Sequence, residues 1–170
     1  MKSIVYIGMD VHEESYTLCS YRFEDDAVKH YQKLKADYRQ ILMYIESLRS
    51  KYGGDTEFAC GYEAGPLGYK LYHELRHANI DCVILAPTSM AVVNTNRVKT
   101  DKRDAGNIAR CLALRTYSPV HVPTKGDEAI KEYIRMRDDK KQVLKKVKQQ
   151  TLAFVSRQGY RFGGCERDPI

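Results

Sequence analysis

Four acidic residues in three short contexts have the types and spacing of ligands for divalent metal. Asp10 ends the apolar run IVYIGMD, and Glu63 ends a second run, FACGYE. Asp101 and Asp104 open a segment with helical periodicity, and their spacing places them on one helix face. Mg²⁺ prefers oxygen ligands, and two ions about 3.5–4 Å apart can activate an attacking oxygen and stabilise a leaving one. In a basic chain, these acids indicate phosphodiester chemistry on nucleic acid.

The segments that would position these acids follow the order β-β-β-α-β-α-β-α, and a long helix comes last. Strands are predicted over 3–10, 15–22, 27–32, 56–62 and 80–86, and helices over 36–52, 65–78, 101–115 and 126–157. Three strands before the first helix, followed by βα units, predict an α/β fold of ribonuclease H-like type, with a mixed sheet and flanking helices. Ligands in such sheets bind outside the carboxyl ends of parallel strands, where Asp10 and Glu63 lie.

Each of these acids also has an ordinary structural interpretation. Aspartate at a helix N-cap with an acid three residues later is a common helix start, which Asp101 and Asp104 satisfy. Asp10 could be a turn residue at a strand end, and Glu63 could be solvated. The metal site is favoured because acids follow both of the apolar strands expected at the centre, each before a chain reversal.

A second metal motif, HELRH, places His73 and His77 at the spacing of the zinc metalloprotease helix. Zinc would need both imidazoles in a cleft beside a third ligand. The apolar residues of this predicted helix define a different face, and they are Leu67, Leu71, Tyr72, Leu75 and Ala78. We therefore expect both histidines to be exposed, and a zinc protease is excluded.

The formal net charge of +6 favours a polyanionic partner, and the basic residues concentrate in two regions. The segment 88–99 is predicted to be a mobile basic loop. Between Lys140 and Arg161 there are seven basic residues and no acidic one, which favours phosphate contact over a merely solvated face. The candidate nucleic-acid-binding residues are Arg97, Lys99, Lys102, Arg103, Lys140, Lys141, Lys145, Lys146, Lys148 and Arg157.

The 170-residue length fits one domain with an appended element, and 43% hydrophobic residues are enough for a core. No run approaches the roughly 18–20 apolar residues of a membrane span, so a cytoplasmic protein without a membrane partner is expected. The five cysteines contain no CxxC, which predicts structural thiols rather than zinc or redox chemistry.

Five sequence blocks carry a resemblance to a known family: GMDVHEESY, YEAGPLGYKLY, IDCVILAPT, RVKTDKRDAGNIARCL and VHVP. From about Ile4 to Phe162 the chain resembles the amino-terminal, RuvC-like domain of the DEDD transposases of the "one-ten" insertion-sequence group. The resemblance implies that Asp10, Glu63, Asp101 and Asp104 form a catalytic, metal-binding tetrad. It implies strand cleavage and exchange in DNA that depends on Mg²⁺, with Mn²⁺ as a substitute, guided by a structured (bridge) RNA.

The resemblance also divides the chain. It predicts a catalytic domain at 1–123, a long basic helix or coiled-coil linker at 124–160 that forms a homo-oligomer, and a disordered tail at 161–170. Family members carry a serine nucleophile in a second domain that we expect this chain to lack. Two alternatives stay open: a non-catalytic nucleic-acid-binding and assembly module, and a stand-alone junction resolvase. A bacterial or archaeal, nucleoid-associated protein is expected.

Overall fold

A computed structural model describes residues 3–87 and 100–160 of the chain. The chain divides into two compact units, one up to His121 and one from Val122. In order, the described elements are β1 (Ile4–Val11), β2 (Ser15–Arg22), β3 (Ala27–Lys35), α1 (Tyr38–Tyr52), β4 (Glu57–Glu63), α2 (Lys70–His77), β5 (Asp81–Leu85), α3 (Asp101–Leu114) and α4 (Lys125–Arg157). The predicted loop at 88–99 and the predicted tail at 161–170 lie outside the described residues.

The strands of the first unit form one sheet in the order β3-β2-β1-β4-β5. Strands β1 to β3 are an antiparallel meander, whereas β4 pairs parallel to β1 and β5 pairs parallel to β4. This mixed sheet with flanking helices confirms the ribonuclease H-like prediction. Parallel strands need a crossover connection, and α2 provides the one between β4 and β5.

Helix α3 covers one face of the sheet, and small residues allow it to approach closely. Ala105 and Ala109 of α3 pack with Cys19 and Tyr21 of β2 in one buried cluster. A Cβ atom built on Gly8 of β1 would lie 2.0 Å from the Ala105 carbonyl oxygen. The strand therefore contacts the helix backbone directly at Gly8, and no larger residue fits there.

The predicted start of the second helix is wrong. Residues 66–69 form turns, and α2 begins only at Lys70. Gly68 has a φ of +65°, in the left-handed region that an α-helix does not use, so the helix cannot run through it. The prediction that both histidines of HELRH are exposed is correct for His77 but wrong for His73, which is partly buried.

Two other element starts and ends differ from the prediction by a few residues. β3 continues to Lys35 because its pairing with β2 extends to Ser15. α1 begins at Tyr38 rather than at residue 36, since the side chain of Asp37 caps it by accepting a hydrogen bond from the Arg39 amide at 2.9 Å. Such N-caps satisfy amides that the first helical turn leaves unpaired.

Helix α4 belongs to the second compact unit. Thr124 caps its start by accepting a hydrogen bond from the Asp127 amide at 3.2 Å. None of its residues is buried, and its exposed large apolar side chains are Ile130, Tyr133, Ile134, Met136, Val143, Leu144, Val147, Leu152 and Phe154. Within the described ranges, no helix has the length and apolar character needed to cross a membrane.

Candidate metal and nucleic-acid site

A row of polar residues crosses the sheet near the carboxyl end of β1. Asp10 of β1 lies opposite Thr17 of β2, and Thr17 lies opposite Lys33 of β3. Residues directly opposite each other project from the same face of a sheet. On the other side, Glu63 of β4 comes level with Asp10, because the preceding residues of the two strands are paired. We call these four residues the strand row.

The strand row lies on the face that α3 covers. Alternation along a strand puts Gly8 on the same face as Asp10, and Gly61 on the same face as Glu63. A Cβ atom on Gly8 would meet Ala105 of α3, and one on Gly61 would meet Leu112 of α3. The first turn of α3 therefore brings its acids towards the side chains of the strand row.

Three side chains converge there into what we call the carboxylate–histidine cluster: Asp10, His12 and Asp101. Each offers a ligand atom, and these atoms lie within 4.8 Å of one another. His12 Nε2 lies 3.0 Å from Asp10 Oδ2, and the Asp10 side chain is 17% exposed whereas that of His12 is 57% exposed. Carboxylate oxygens suit Mg²⁺ and Mn²⁺, and imidazole is a common ligand of transition metals. The donor set thus fits a divalent ion.

The predicted tetrad is only partly assembled in this cluster. Asp10 and Asp101 belong to it, but among the described residues neither Glu63 nor Asp104 does. Glu63 is the last residue of β4 and is half-buried, as is Asp104, which lies one turn after Asp101. The assignment of all four acids as catalytic and metal-binding stays a prediction.

Asp101 does not cap its helix. Thr100 occupies the N-cap position of α3, and Asp101 is the first helical residue. Its Oδ2 instead accepts a hydrogen bond from Lys33 Nζ at 3.2 Å. This bond is the main reason why the pKa of the Asp101 carboxyl lies below its ordinary value. The Asp101 carboxylate is therefore ionised and held next to the strand row.

A cavity of about 590 Å³ adjoins the cluster. Its lining residues are Thr17, Tyr31, Gln32, Lys33, Thr100, Asp101 and Lys102. Thr17 is 3% exposed, and its hydroxyl oxygen has no hydrogen-bond partner within the part of the chain that the structure describes. The cavity thus combines two lysines, a carboxylate and an unpaired hydroxyl.

Three residues of this region were missed by sequence reasoning. His12 carried a usable signal, since it follows Asp10 by two residues in the same strand-end motif. Thr17 and Lys33 carried none, because their positions depend on the pairing register of β1, β2 and β3. A single shift of register would have put both on the opposite face.

The candidate nucleic-acid-binding residues are distributed over both units. Lys102 and Arg103 are exposed in the first turn of α3, directly after Asp101. Arg97 and Lys99 lie outside the described residues. The remaining candidates are all exposed on α4, and they are Lys140, Lys141, Lys145, Lys146, Lys148 and Arg157.

Comparison with known proteins gives consistent results. The chain is 35% identical over 158 residues to the transposase for insertion sequence element IS1533 of Leptospira borgpetersenii, covering 92% of this chain and 45% of that protein. It is 29% identical over 160 residues to the putative transposase y4qE of Sinorhizobium fredii (strain NBRC 101917 / NGR234), covering 94% of this chain and 40% of that protein. The chain therefore spans less than half the length of these two curated relatives.

Among solved structures, T. thermophilus RuvC in complex with Holliday junction substrate is similar with a TM-score of 0.44 and 12% sequence identity, covering 69% of this chain and 99% of that one. A family model of IS110-type DEDD transposases, described as "Transposase", matches residues 7–158. Because that match takes in most of the chain, together with every residue of the strand row and of the carboxylate–histidine cluster, the protein belongs to the IS110-type DEDD transposase family.

Proposed function

We propose that this chain takes part in metal-dependent DNA strand cleavage and exchange during transposition of an insertion sequence. The observation that carries the proposal is the convergence of Asp10 and Asp101, from β1 and α3, in a member of a transposase family. Their ligand oxygens lie within 4.8 Å of each other, and oxygen atoms are the ligands that Mg²⁺ takes in proteins. A fold that holds two such ligands together is suited to a divalent ion.

In this proposal Asp10 and Asp101 hold the ion, with Glu63 and Asp104 completing the tetrad. The ion is Mg²⁺, and Mn²⁺ can replace it. A divalent ion at this place supplies charge stabilisation for the reacting phosphate and activation of the attacking oxygen. The hydrogen bond from His12 orients the Asp10 carboxylate, as outer partners commonly do for metal-ligating groups.

The proposed substrate is DNA. Exposed basic residues, Lys102 and Arg103, follow Asp101 immediately, and the chain carries a net charge of +6. Contacts of such residues with phosphates fix the position of the nucleic acid but do not read its sequence. With DNA as its substrate, the protein is proposed to act in the bacterial or archaeal cytoplasm, at the nucleoid.

Calorimetric titration of Mn²⁺ into this chain tests the metal site. We expect binding by the unaltered chain and its loss in the Asp10→Asn/Asp101→Asn double variant, which should still fold although it lacks the ion pair of Lys33 with Asp101. Asp81→Asn is the matched control, because Asp81 is an exposed acid of the same sheet, paired with Arg76. It should leave ion binding unchanged. Equal binding in the double variant and the unaltered chain would contradict the proposal.

A second candidate function is supported by helix α4. We propose that this helix binds DNA and a structured guide RNA, and that it pairs with a second copy of the chain. Its candidate basic residues are all exposed, and no acid interrupts them. The exposed pairs Ile130/Tyr133 and Leu144/Val147 each have the three-residue spacing of coiled-coil seam positions. On this view the chain could serve as an assembly module even without catalysis.

The salt dependence of nucleic-acid binding tests this second function. Replacing phosphate-contacting residues lowers the slope of log Kd against log salt by about 0.9 for each lost contact with duplex DNA. We expect such a reduction for Lys145→Glu/Lys146→Glu. Lys131→Glu is the control, since that lysine lies in the acid-containing first half of α4. An identical slope in all three proteins would exclude α4 as the binding surface. Cleavage of a four-way junction by this chain alone with Mg²⁺ would instead favour a stand-alone resolvase.

A further inference from the structure

Thr17 is an unusual buried residue. Its side chain is among the few buried polar ones of the described chain, yet its hydroxyl oxygen finds no partner there. Buried polar groups are nearly always hydrogen-bonded, and leaving one unpaired lowers stability. In native proteins the missing partner of such a group is an ordered water, an ion or a ligand. A second buried threonine, Thr56, shows the ordinary arrangement, since its hydroxyl donates to the Tyr52 carbonyl oxygen at 3.1 Å.

The surroundings of Thr17 identify the class of ligand. In the strand row it lies between Asp10 and Lys33, and it lines the same cavity as Lys33 and Lys102. Hydroxyl and ammonium groups donate hydrogen bonds, and phosphate oxygens accept them. A phosphate group is the ligand that satisfies both donors next to a metal-binding carboxylate.

We propose that Thr17 and Lys33 form a phosphate subsite that holds a phosphodiester of the DNA strand beside the carboxylate–histidine cluster. The proposal rests on the proposed function and specifies how its substrate is placed. Thr17 is the fixed donor, because pairing on both sides holds β2 in the middle of the meander. Lys33 is the movable donor, because its side chain is 63% exposed and reaches Asp101 only through its terminal nitrogen.

The two states of Lys33 link the subsite to the cluster. Without substrate, the ammonium group donates to Asp101 and balances its charge. With the phosphodiester bound, Lys33 would turn its ammonium group from Asp101 to a non-bridging phosphate oxygen, and Asp101 would then be free to hold a divalent ion. The Thr17 hydroxyl, which lines the same cavity, donates the second hydrogen bond. The lysine therefore neutralises the carboxylate before binding and the phosphate after it.

The test measures the affinity of this chain for a fluorescent four-way DNA junction in Ca²⁺, a cation that takes oxygen ligands. Thr17→Val keeps the branched shape and removes the hydroxyl. We expect Kd to rise about tenfold or more, as for other hydrogen bonds to charged groups. The melting temperature should stay the same or rise, because an unpaired buried hydroxyl is gone. Lys33→Gln should weaken binding by a similar factor.

Matched controls separate this role from a structural one. Thr56→Val removes a hydroxyl that is already paired, so it should lower the melting temperature and leave DNA affinity unchanged. Lys29→Gln removes a lysine of the same strand that is paired with Asp25, and it should not change DNA affinity. If Thr17→Val lowers the melting temperature and keeps the DNA affinity, Thr17 is structural and the subsite is overturned.

The outcome also separates the subsite from the proposed function. Thr17→Val should leave Mn²⁺ binding unchanged, whereas Asp10→Asn should abolish it. Loss of DNA affinity in Thr17→Val with Mn²⁺ binding retained in Asp10→Asn would support a phosphate subsite and overturn the metal site. DNA affinities within about twofold of the unaltered chain for both Thr17→Val and Lys33→Gln would overturn the subsite alone, since twofold is well under the effect of one hydrogen bond.

Discussion

We predict that Gly8→Ala both destabilises the first unit and disrupts the proposed metal site. The added Cβ would lie 2.0 Å from the Ala105 carbonyl oxygen and 2.4 Å from the Ala109 amide nitrogen. Non-bonded carbon contacts need about 3.5 Å, so α3 must move by about 1.5 Å at this point. Overpacking typically costs 1–3 kcal/mol, and we expect about 3 kcal/mol because the obstructing atoms belong to the backbone.

The same displacement acts on the site, since Asp101 begins the helix that must move. Asp101 lies one turn before Ala105, whereas Asp10 is held by the sheet. A misplacement of about 1 Å can cost roughly 100-fold in catalytic efficiency, so we expect Mn²⁺ affinity to fall by at least about tenfold. This loss of Mn²⁺ affinity should exceed the loss caused by an equally destabilising substitution in a distant part of the core.

Urea unfolding followed by circular dichroism, with Mn²⁺ calorimetry on the same samples, provides the assay. Gly61→Ala is the intermediate case, because its Cβ would meet only the side-chain ends of Leu112 and Leu85 at 2.8–2.9 Å. We expect it to lower the free energy of unfolding by about 1 kcal/mol. Gly54→Ala is the control, since no atom lies within 4 Å of its Cβ position, and its effect should stay within about 0.5 kcal/mol. Equal stabilities for all three variants would refute the close contact between β1 and α3.

Three further predictions concern the thiols and the long helix. Burial raises the pKa of Cys19 and Cys82 to about 12 and that of Cys60 well above its ordinary value. Iodoacetamide at pH 8 should therefore label these three thiols only after the chain unfolds. Rapid labelling of the folded chain at these positions, mapped by mass spectrometry, would contradict this prediction. Because the pKa of Cys19 and Cys82 rises from 9.0 in the unfolded chain to about 12 in the folded chain, the free energy of unfolding should fall as pH rises between those values. A flat profile in a pH series of urea unfolding would contradict this linkage. Leu144→Glu should reduce self-association, measured by sedimentation velocity, because it places a charge in the proposed helix–helix contact. Lys131→Gln on the same helix should not reduce self-association. Equal association of the two variants would exclude that contact.

The sequence predicts the element types well because their periodicities differ clearly. The apolar run before Asp10 and the stripe of Ile41, Ile45 and Leu48 indicate a buried strand and an amphipathic helix, and the structure has both. The start of α2 was missed because Pro66 suits a first helical turn, whereas the positive φ of Gly68 depends on the path of the whole connection. Backbone geometry of this kind has no counterpart in residue type alone, since glycine is compatible with many conformations.

The candidate site was predictable only in part, for a related reason. The apolar run before Asp10 correctly predicted that this acid lies near the end of a strand, and the helical periodicity after Asp101 correctly predicted that it lies at the start of α3. The contact of Lys33 with Asp101 depends on the β2–β3 register, which shifts between Leu18 and Ser20. An irregularity of that kind changes which residues lie opposite each other, and it arises from tertiary packing rather than from local propensity.

The order of the elements along the chain has a consequence for how the molecule folds. The meander of β1, β2 and β3 uses contacts that are close in sequence, so it can form early and quickly. The pairing of β4 with β1 and the docking of α3 over Gly8 close much longer loops, and we expect them to form later. Until α3 docks, Asp10 has no partner from that helix. During synthesis, a chain whose α3 has not yet left the ribosome should therefore lack the convergence of Asp10 with Asp101 and, with it, the proposed metal site.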